Sequence, residues 1–233
     1  MVQFKEHQRR DVILNNTEVV RPALLPEMRL RLTTGRCPLW SMREDELETS
    51  GLGDPYWAFA WAGGQGMARD ILDHPGVFAG KRVVDIATGS GIIAIAAAMA
   101  GAEHVTANDI DPFCREATAL NASLNQVAVS FDPQDRVGRP LPGVDVVVAG
   151  DICYEEPLSQ RVSAWFQDLA RGGVQVYVGD PGRATFKREG LKQVARYRPC
   201  DVQDHDDGDV RRARVFKVTG AGEITTEKRC ETA

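Results

Sequence analysis

Nothing in the 233-residue chain approaches the run of ~20 apolar residues that a membrane-spanning helix requires. Cysteine is sparse and odd in number. Cys37, Cys114, Cys153, Cys200 and Cys230 are scattered and never in C-x-x-C spacing, which points to reduced thiols and a cytoplasmic setting. The histidines, His7, His74, His104 and His205, form no ligand-spaced pair, so no metal site is expected. Clustered cations are missing too: 28 basic against 33 acidic residues leave a net charge of −5. That balance argues against nonspecific nucleic-acid binding, which needs Lys and Arg gathered on phosphates. It suits a partner that is basic at the point of contact. Residues 1–16 carry charges of both signs and no apolar signal core, so no secretory or organellar address is expected. Repeats and low-complexity stretches are also absent.

What is present fits one sizeable α/β domain. Residues 1–50 are the least legible and read as an N-terminal extension packed on the core. Within them 17–21 and 28–32 alternate weakly, as short edge strands would, and 43–48 is charged enough for a solvated helical turn. Apolar residues then recur at helical spacing from Tyr56 to Leu72, with Asp54-Pro55 as its start and Gly63-Gly64 as an interruption. Strands are expected at 83–84, 105–109, 127–131, 144–149 and 174–178. Between them helices are expected at 92–100, 112–125 and 157–170, with Asp111 as N-cap of the second. A hairpin, 193–198 with 211–218, flanks the acidic loop 204–209. Residues 51–219 thus read as the catalytic domain and 220–233 as a flexible tail. Alternating strand and helix followed by two strands implies a mainly parallel sheet with an antiparallel strand inserted late.

The most informative stretch is Val83-Val84-Asp85-Ile86-Ala87-Thr88-Gly89-Ser90-Gly91. Val83 and Val84 end a buried strand, and Asp85 stands where the chain leaves the sheet. Gly89 and Gly91 let the backbone turn at positive φ close to a ligand, and the amides opening the next helix offer donors. Asp109, at the end of the second strand, can accept from both hydroxyls of a ribose. Gly89 to Ala94 also fits the dinucleotide fingerprint G-x-G-x-x-A. Asp85 decides against it, because a carboxylate there repels a pyrophosphate but favours a sulfonium and an α-ammonium. The D-x-x-x-G-x-G order, Thr88 included, resembles the cofactor loop of seven-strand S-adenosylmethionine-dependent methyltransferases. The fold implied is a Rossmann-like seven-strand sheet with helices on both faces.

The fourth strand runs into Asp151-Ile152-Cys153-Tyr154. In open α/β sheets ligands bind beyond the carboxyl ends of the strands, near the switch in strand order. Asp151 can there hold a substrate ammonium and Tyr154 can face a cation. The bland alternative makes Asp151 the cap of the following helix and Tyr154 rim packing. Asp151 to Tyr154 matches the D-x-x-Y motif of seven-strand enzymes that methylate protein lysines. With Arg21-Pro22 through Leu30, Cys37 to Trp40, Asp54 to Gln65 and Asp180 to Arg183, the chain resembles bacterial relatives of the electron transfer flavoprotein β-subunit lysine methyltransferase family.

That resemblance implies S-adenosyl-L-methionine as cofactor and a lysine of the electron transfer flavoprotein β-subunit as target. It puts Trp57 and Trp61 near the cofactor, although both also suit an aromatic core. It gives Asp109 the ribose, and Asp132 or Asp135 the adenine amine. Asp151 and Tyr154 orient the lysine. Gly89 to Asn121 also resembles the enzyme that methylates a large-subunit ribosomal protein, which makes a ribosomal protein the second choice of partner. Small-molecule methylation ranks third. A catalytically silent scaffold would need the cofactor loop but not Asp151 and Tyr154.

Overall fold

This computed structural model describes residues 4–198 and 213–219. The acidic loop 204–209, the start of the last expected strand at 211–212 and the tail 220–233 lie outside the described residues. The chain opens with helix α1 (Glu6–Asn16), strands β1 (Glu18–Val20) and β2 (Leu30–Leu32), and helix α2 (Glu44–Ser50). The two strands pair antiparallel, Val19 opposite Arg31. Helix α1 carries no apolar stripe that could announce it in sequence; its buried residue is Ile13. It is held by packing on the later helix 112–124, where Phe4 meets Phe113 edge-on at 5.4 Å.

A short 3-10 turn at Tyr56–Ala58 precedes α3 (Ala62–Asp73). The single aromatic helix expected from Tyr56 onward is therefore corrected: it breaks at 59–61, and Trp61 is the N-cap of α3. Gly63 and Gly64 do not interrupt the helix but lie inside its first turn. They are glycine because α3 lies directly on the sheet. A Cβ at Gly63 would stand 2.4 Å from the carbonyl oxygen of Gly179, and one at Gly150 would stand 2.7 Å from Gly64 Cα. Close approach of backbone to backbone overrides the local preference that makes Gly-Gly read as a break.

Then follow β3 (Arg82–Ile86), α4 (Ile92–Met99), β4 (His104–Asn108), α5 (Pro112–Leu124) and β5 (Ser130–Asp132). The chain continues through β6 (Val146–Gly150), α6 (Leu158–Arg171), β7 (Gln175–Asp180), β8 (Leu191–Tyr197) and β9 (Ala213–Val218). Asp111 caps α5 as expected, its Oδ1 accepting from Phe113 N at 2.8 Å. The third strand is shorter than 127–131 implied, three residues only.

The seven strands lie in the order β5-β4-β3-β6-β7-β9-β8. Pairs from β5 to β7 are parallel, and β9 runs antiparallel to both neighbours. This is the mainly parallel sheet with a late antiparallel strand that the element order implies. Both faces are covered, as parallel sheets require. Val83, Val146 and Val148 pack with Met67, Ile71, Ile93 and Ile95 of α3 and α4. Val84, Ile86, Val147 and Ala149 pack with Val162, Trp165 and Phe166 of α6 on the other side. The order reverses between β3 and β6, so their carboxyl ends form the switch point where open sheets bind ligands. No helix among the described residues is long and apolar enough to cross a membrane.

Candidate active site

Asp85 is fully buried on β3. Its Oδ2 accepts from Thr88 Oγ1 at 2.5 Å and from Ala94 N, the third amide of α4, at 3.1 Å. Its Oδ1 has no hydrogen-bond partner. Burial pushes the carboxyl up to about 7, and the charge of Asp109 adds to this, against the pull of the Thr88 and Ala94 donors. Thr88 therefore shapes the loop by gripping Asp85. The loop reaches its positive-φ conformations at Gly89 (53°) and Gly91 (84°), and also at Ala87 (55°). Ala87 is a strained, exposed, non-glycine position that sequence reasoning missed, for its side chain gives no signal. A Cβ at Gly91 would meet Thr118 of α5 at 3.0–3.2 Å, so packing of α4 on α5 also demands this glycine.

Asp109 follows β4 directly and closes the loop from the neighbouring strand. Its Oδ2 accepts from Gly89 N at 3.0 Å and its Oδ1 from Asp111 N at 3.0 Å. A carboxylate offers about four lone-pair sites, so two remain for further donors. Asp132 ends β5, beside β4, and sits on the same rim. Its Oδ2 is tied to Arg136 Nε at 2.5 Å and its Oδ1 accepts from Gln134 N at 3.1 Å. Asp135, its alternative, is engaged by Val137 N at 3.0 Å and lies 3.8 Å from Arg161.

Asp151 departs most from the sequence reading. It does not project from the rim but lies beneath it, 7% exposed, at a backbone φ of 55°. Oδ1 accepts from Arg183 Nη1 at 2.6 Å, and Oδ2 accepts from Gly64 N at 2.8 Å. Nor does it cap the following helix, whose N-cap is Pro157. Instead it caps α3, taking up an amide that a helix leaves unpaired in its first turn. Burial raises its pKa, and the Arg183 guanidinium and the Gly64 and Gly63 amides oppose that rise. Arg183 is positioned by Asp180, whose Oδ1 accepts from Arg183 N at 2.9 Å and from Gly182 N at 2.5 Å. Burial also lifts Asp180 to about 6, with the nearby Asp151 charge contributing. Asp180 and Arg183 entered the sequence analysis only as part of the family likeness.

The aromatic residues are sorted by the 3-10 turn. Trp57 is fully buried and stacks on Phe113, centroids 5.5 Å apart at 10°. It belongs to the core with Ile13, Leu39 and Leu120, the aromatic-core role that its sequence also suits. Its neighbour Tyr56 is exposed instead. Tyr56 lies 5.4 Å from Tyr154 and 5.9 Å from Trp61. Trp61 is half-buried and its Nε1 donates to the Tyr56 carbonyl at 3.0 Å. Tyr154 stays at the rim, 41% exposed, its hydroxyl pKa raised by burial and by the charges of Glu155, Asp109 and Asp54.

This arrangement fits S-adenosylmethionine on one observation above all. An unpartnered buried carboxylate oxygen is costly unless a donor or cation reaches it, and Asp85 Oδ1, on the strand that leads into the glycine loop, is in that condition, as is Asp180 Oδ2 at the end of β7. Asp109 keeps acceptor capacity beside Asp85. A separate cleft of about 430 Å³, lined by His104, Ser123 and Ser130 among others, opens at the amino ends of β4 and β5, away from these groups.

Comparison with known proteins agrees with this geometry. The family model of ribosomal protein L11 methyltransferase matches residues 70–179, from within α3 into β7 and less than half of the chain. A magnesium protoporphyrin IX methyltransferase from Synechocystis, solved with bound SAM, aligns over 79% of this chain and 98% of its own with a TM-score of 0.53. At 16% identity it shows the shared methyltransferase fold alone. The electron transfer flavoprotein beta subunit lysine methyltransferase of Xenopus laevis is 42% identical over 198 residues, covering 82% of this chain and 79% of its own. The human protein of the same name is 38% identical over 192 residues, covering 81% of this chain and 72% of its own. Likeness of that extent reaches beyond residues 70–179 to the aromatic turn and the Arg183 loop, and the chain belongs to the electron transfer flavoprotein beta subunit lysine methyltransferase family.

Proposed function

We propose that this protein transfers methyl groups from S-adenosylmethionine to lysine side chains of the electron transfer flavoprotein β-subunit. The observation that carries the reading is the adjacency, at the switch between β3 and β6, of the Asp85 loop and the Asp151–Tyr154 segment. Bound there, S-adenosylmethionine supplies an electrophilic methyl group: a nitrogen–carbon bond forms as the sulfur–carbon bond breaks and sulfur keeps the electron pair. The chain has then mainly to hold and align. Asp85 Oδ1 would take a cationic or donor group of the cofactor, and Asp109 would take the ribose hydroxyls on its free lone pairs. Asp132, at the end of β5, or Asp135 after it would accept from the adenine amine.

The lysine must reach the methyl group as a neutral amine, although in water its pKa is about 10.4. Partial desolvation against the rings of Tyr56, Trp61 and Tyr154 favours loss of the ammonium proton to solvent. Asp151 does not oppose this, because Arg183 already balances its charge. Its role is to fix the start of α3 and the Arg183 loop around the rim. A net charge of −5 favours a basic segment on the substrate. The ribosomal protein alternative rests on a match to less than half of the chain, one that leaves out Tyr56, Trp61 and Arg183.

The test is incubation with isotopically labelled S-adenosylmethionine and purified flavoprotein β-subunit, with a ribosomal fraction in parallel. Peptide mass spectrometry should place the label on lysine of the flavoprotein. Label confined to arginine, nucleic acid or a metabolite would overturn the reading.

A further inference from the structure

Tyr56 touches three parts of the site at once. Its ring, 43% exposed, lies 5.4 Å from the Tyr154 ring at an interplanar angle of 45°. Its carbonyl accepts from Trp61 Nε1 at 3.0 Å, which ties it to the residue capping α3. The same carbonyl oxygen stands 3.7 Å from where a Cβ of Gly89 would be, the nearest atom on that side of the cofactor loop. Tyr56 therefore bridges the loop that receives the cofactor and the segment that follows β6. Its hydroxyl donates to Asp54 Oδ2 at 3.3 Å, and Asp54 is itself exposed.

We propose that Tyr56 is a substrate-positioning residue: with Tyr154 it forms an aromatic corner along which the lysine side chain lies as it approaches the methyl group. This rests on the lysine-methyltransferase reading above. Three observations favour the corner over the carboxylate that the motif suggests. Asp151 is buried and its oxygens already accept from Arg183 and Gly64, so it offers an incoming ammonium almost no surface. The two rings touch at an angle, so they present one continuous bent π-surface and not a slot, and a cation is attracted to such a face. Asp54, held at the corner by the Tyr56 hydroxyl, and Glu155, next to Tyr154, are exposed carboxylates that draw a cation toward the rings. Burial, Asp54 and Tyr154 push the Tyr56 phenol up to about 12, so it stays a neutral donor to Asp54 throughout the working pH range.

The experiment compares Tyr56→Ala, Tyr56→Leu and Tyr56→Phe in the full chain, by steady-state kinetics on the protein substrate and by calorimetry with S-adenosylhomocysteine. Tyr56→Ala should raise KM for the protein substrate about tenfold, the scale of a desolvated cation–π contact. Cofactor affinity should stay within about twofold in all three. Tyr56→Leu keeps bulk without a π-face and should resemble Ala in KM, which also covers the case of an Ala variant that folds poorly. Tyr56→Phe keeps the corner and should stay within about threefold of the parent. Unchanged KM in Ala and Leu would overturn the proposal. So would a parallel loss of cofactor affinity, which would make Tyr56 part of the loop, or a Phe variant as impaired as Ala. Failure of the parent protein to methylate lysine would instead strike the reading beneath it, and that shows before any variant is made.

Discussion

Asp85 Oδ2 accepts from Ala94 N at 3.1 Å and Asp151 Oδ2 accepts from Gly64 N at 2.8 Å, so neighbouring strands β3 and β6 each lead to a carboxylate that caps the third amide of a helix. The two differ in the other oxygen. That of Asp151 is held by Arg183, whereas that of Asp85 has no partner. One carboxylate is thus completed by the chain itself, and the other keeps one oxygen without a protein partner.

The Asp151–Arg183 pair should be strongly coupled. Removing one member of a buried pair leaves the other uncompensated, and for Arg183, one-quarter exposed, the cost is roughly 1–3 kcal/mol. Asp151→Asn and Arg183→Gln should each lose that much in denaturant unfolding, and the double variant less than their sum. Losses that add within about 0.5 kcal/mol would show the pair to be idle.

Asp109→Ala should weaken binding of S-adenosylhomocysteine by roughly 1.5–3 kcal/mol, the range for losing hydrogen bonds to a charged acceptor. Part of that loss comes from releasing Gly89 N, so Asp109→Asn should be milder. Isothermal calorimetry gives both values, and NAD in the same cell should show negligible heat. Tight NAD binding without S-adenosylhomocysteine binding would reverse the cofactor assignment.

Gly63→Ala should be damaging and Gly76→Ala harmless. The first places a Cβ 2.4 Å from Gly179 O and 2.6 Å from Asp151 Oδ2, and overpacking of this kind costs roughly 1–3 kcal/mol or more. The second meets nothing within 4 Å at an ordinary φ and should gain about 0.4–1 kcal/mol by restricting the unfolded chain. Thermal melts of the two variants decide it; equal melting temperatures would mean that α3 does not press on the sheet as described.

Ligand-free stability should fall as pH rises toward neutrality. Burial lifts Asp85 to about 7, and Asp111 and Asp180 to about 6, all from 3.8. Between those limits the folded state holds more protons than the unfolded state, so the derivative of stability with pH is negative. The stabilisation is complete below about pH 4 and lost through about pH 7. Glu18 and Glu27, whose pKa values are lowered from 4.5, act in the opposite sense only below that value. Asp85→Asn should flatten the upper part of the slope. Melting temperatures that climb steadily from pH 5 to 7.5 would contradict the burial of these groups.

Much of the site could be read from residue order because its determinants are local. Gly89 and Gly91, two residues apart between a strand and a helix, permit the turn at positive φ that forms there, and Asp111-Pro112 announces a helix start by itself. Alternation of apolar strands with helices sufficed for the parallel sheet and its late antiparallel strand. Helix α1 escaped because Ile13 is its buried residue, so packing on α5 and not periodicity holds it. The aromatic stretch misled for the opposite reason: its spacing is helical, but Gly63 and Gly64 lie against Gly179 and Gly150, and the chain turns before α3 to let them do so.

Residue order was enough for the class of fold, the glycine loop, and the two carboxylates, Asp85 on β3 and Asp109 just after β4, that flank the loop. These follow from spacing and backbone conformation, which neighbouring residues set. Tertiary structure alone decided which aromatic side chain faces the site. Tyr56 and Trp57 are adjacent in sequence, yet one is at the rim and the other stacked on Phe113. It also decided that Asp151 is sealed, by an amide 87 residues before it and a guanidinium 32 residues after it. A carboxylate's free valence depends on which distant donors the fold brings within reach, and no spacing in the chain encodes that.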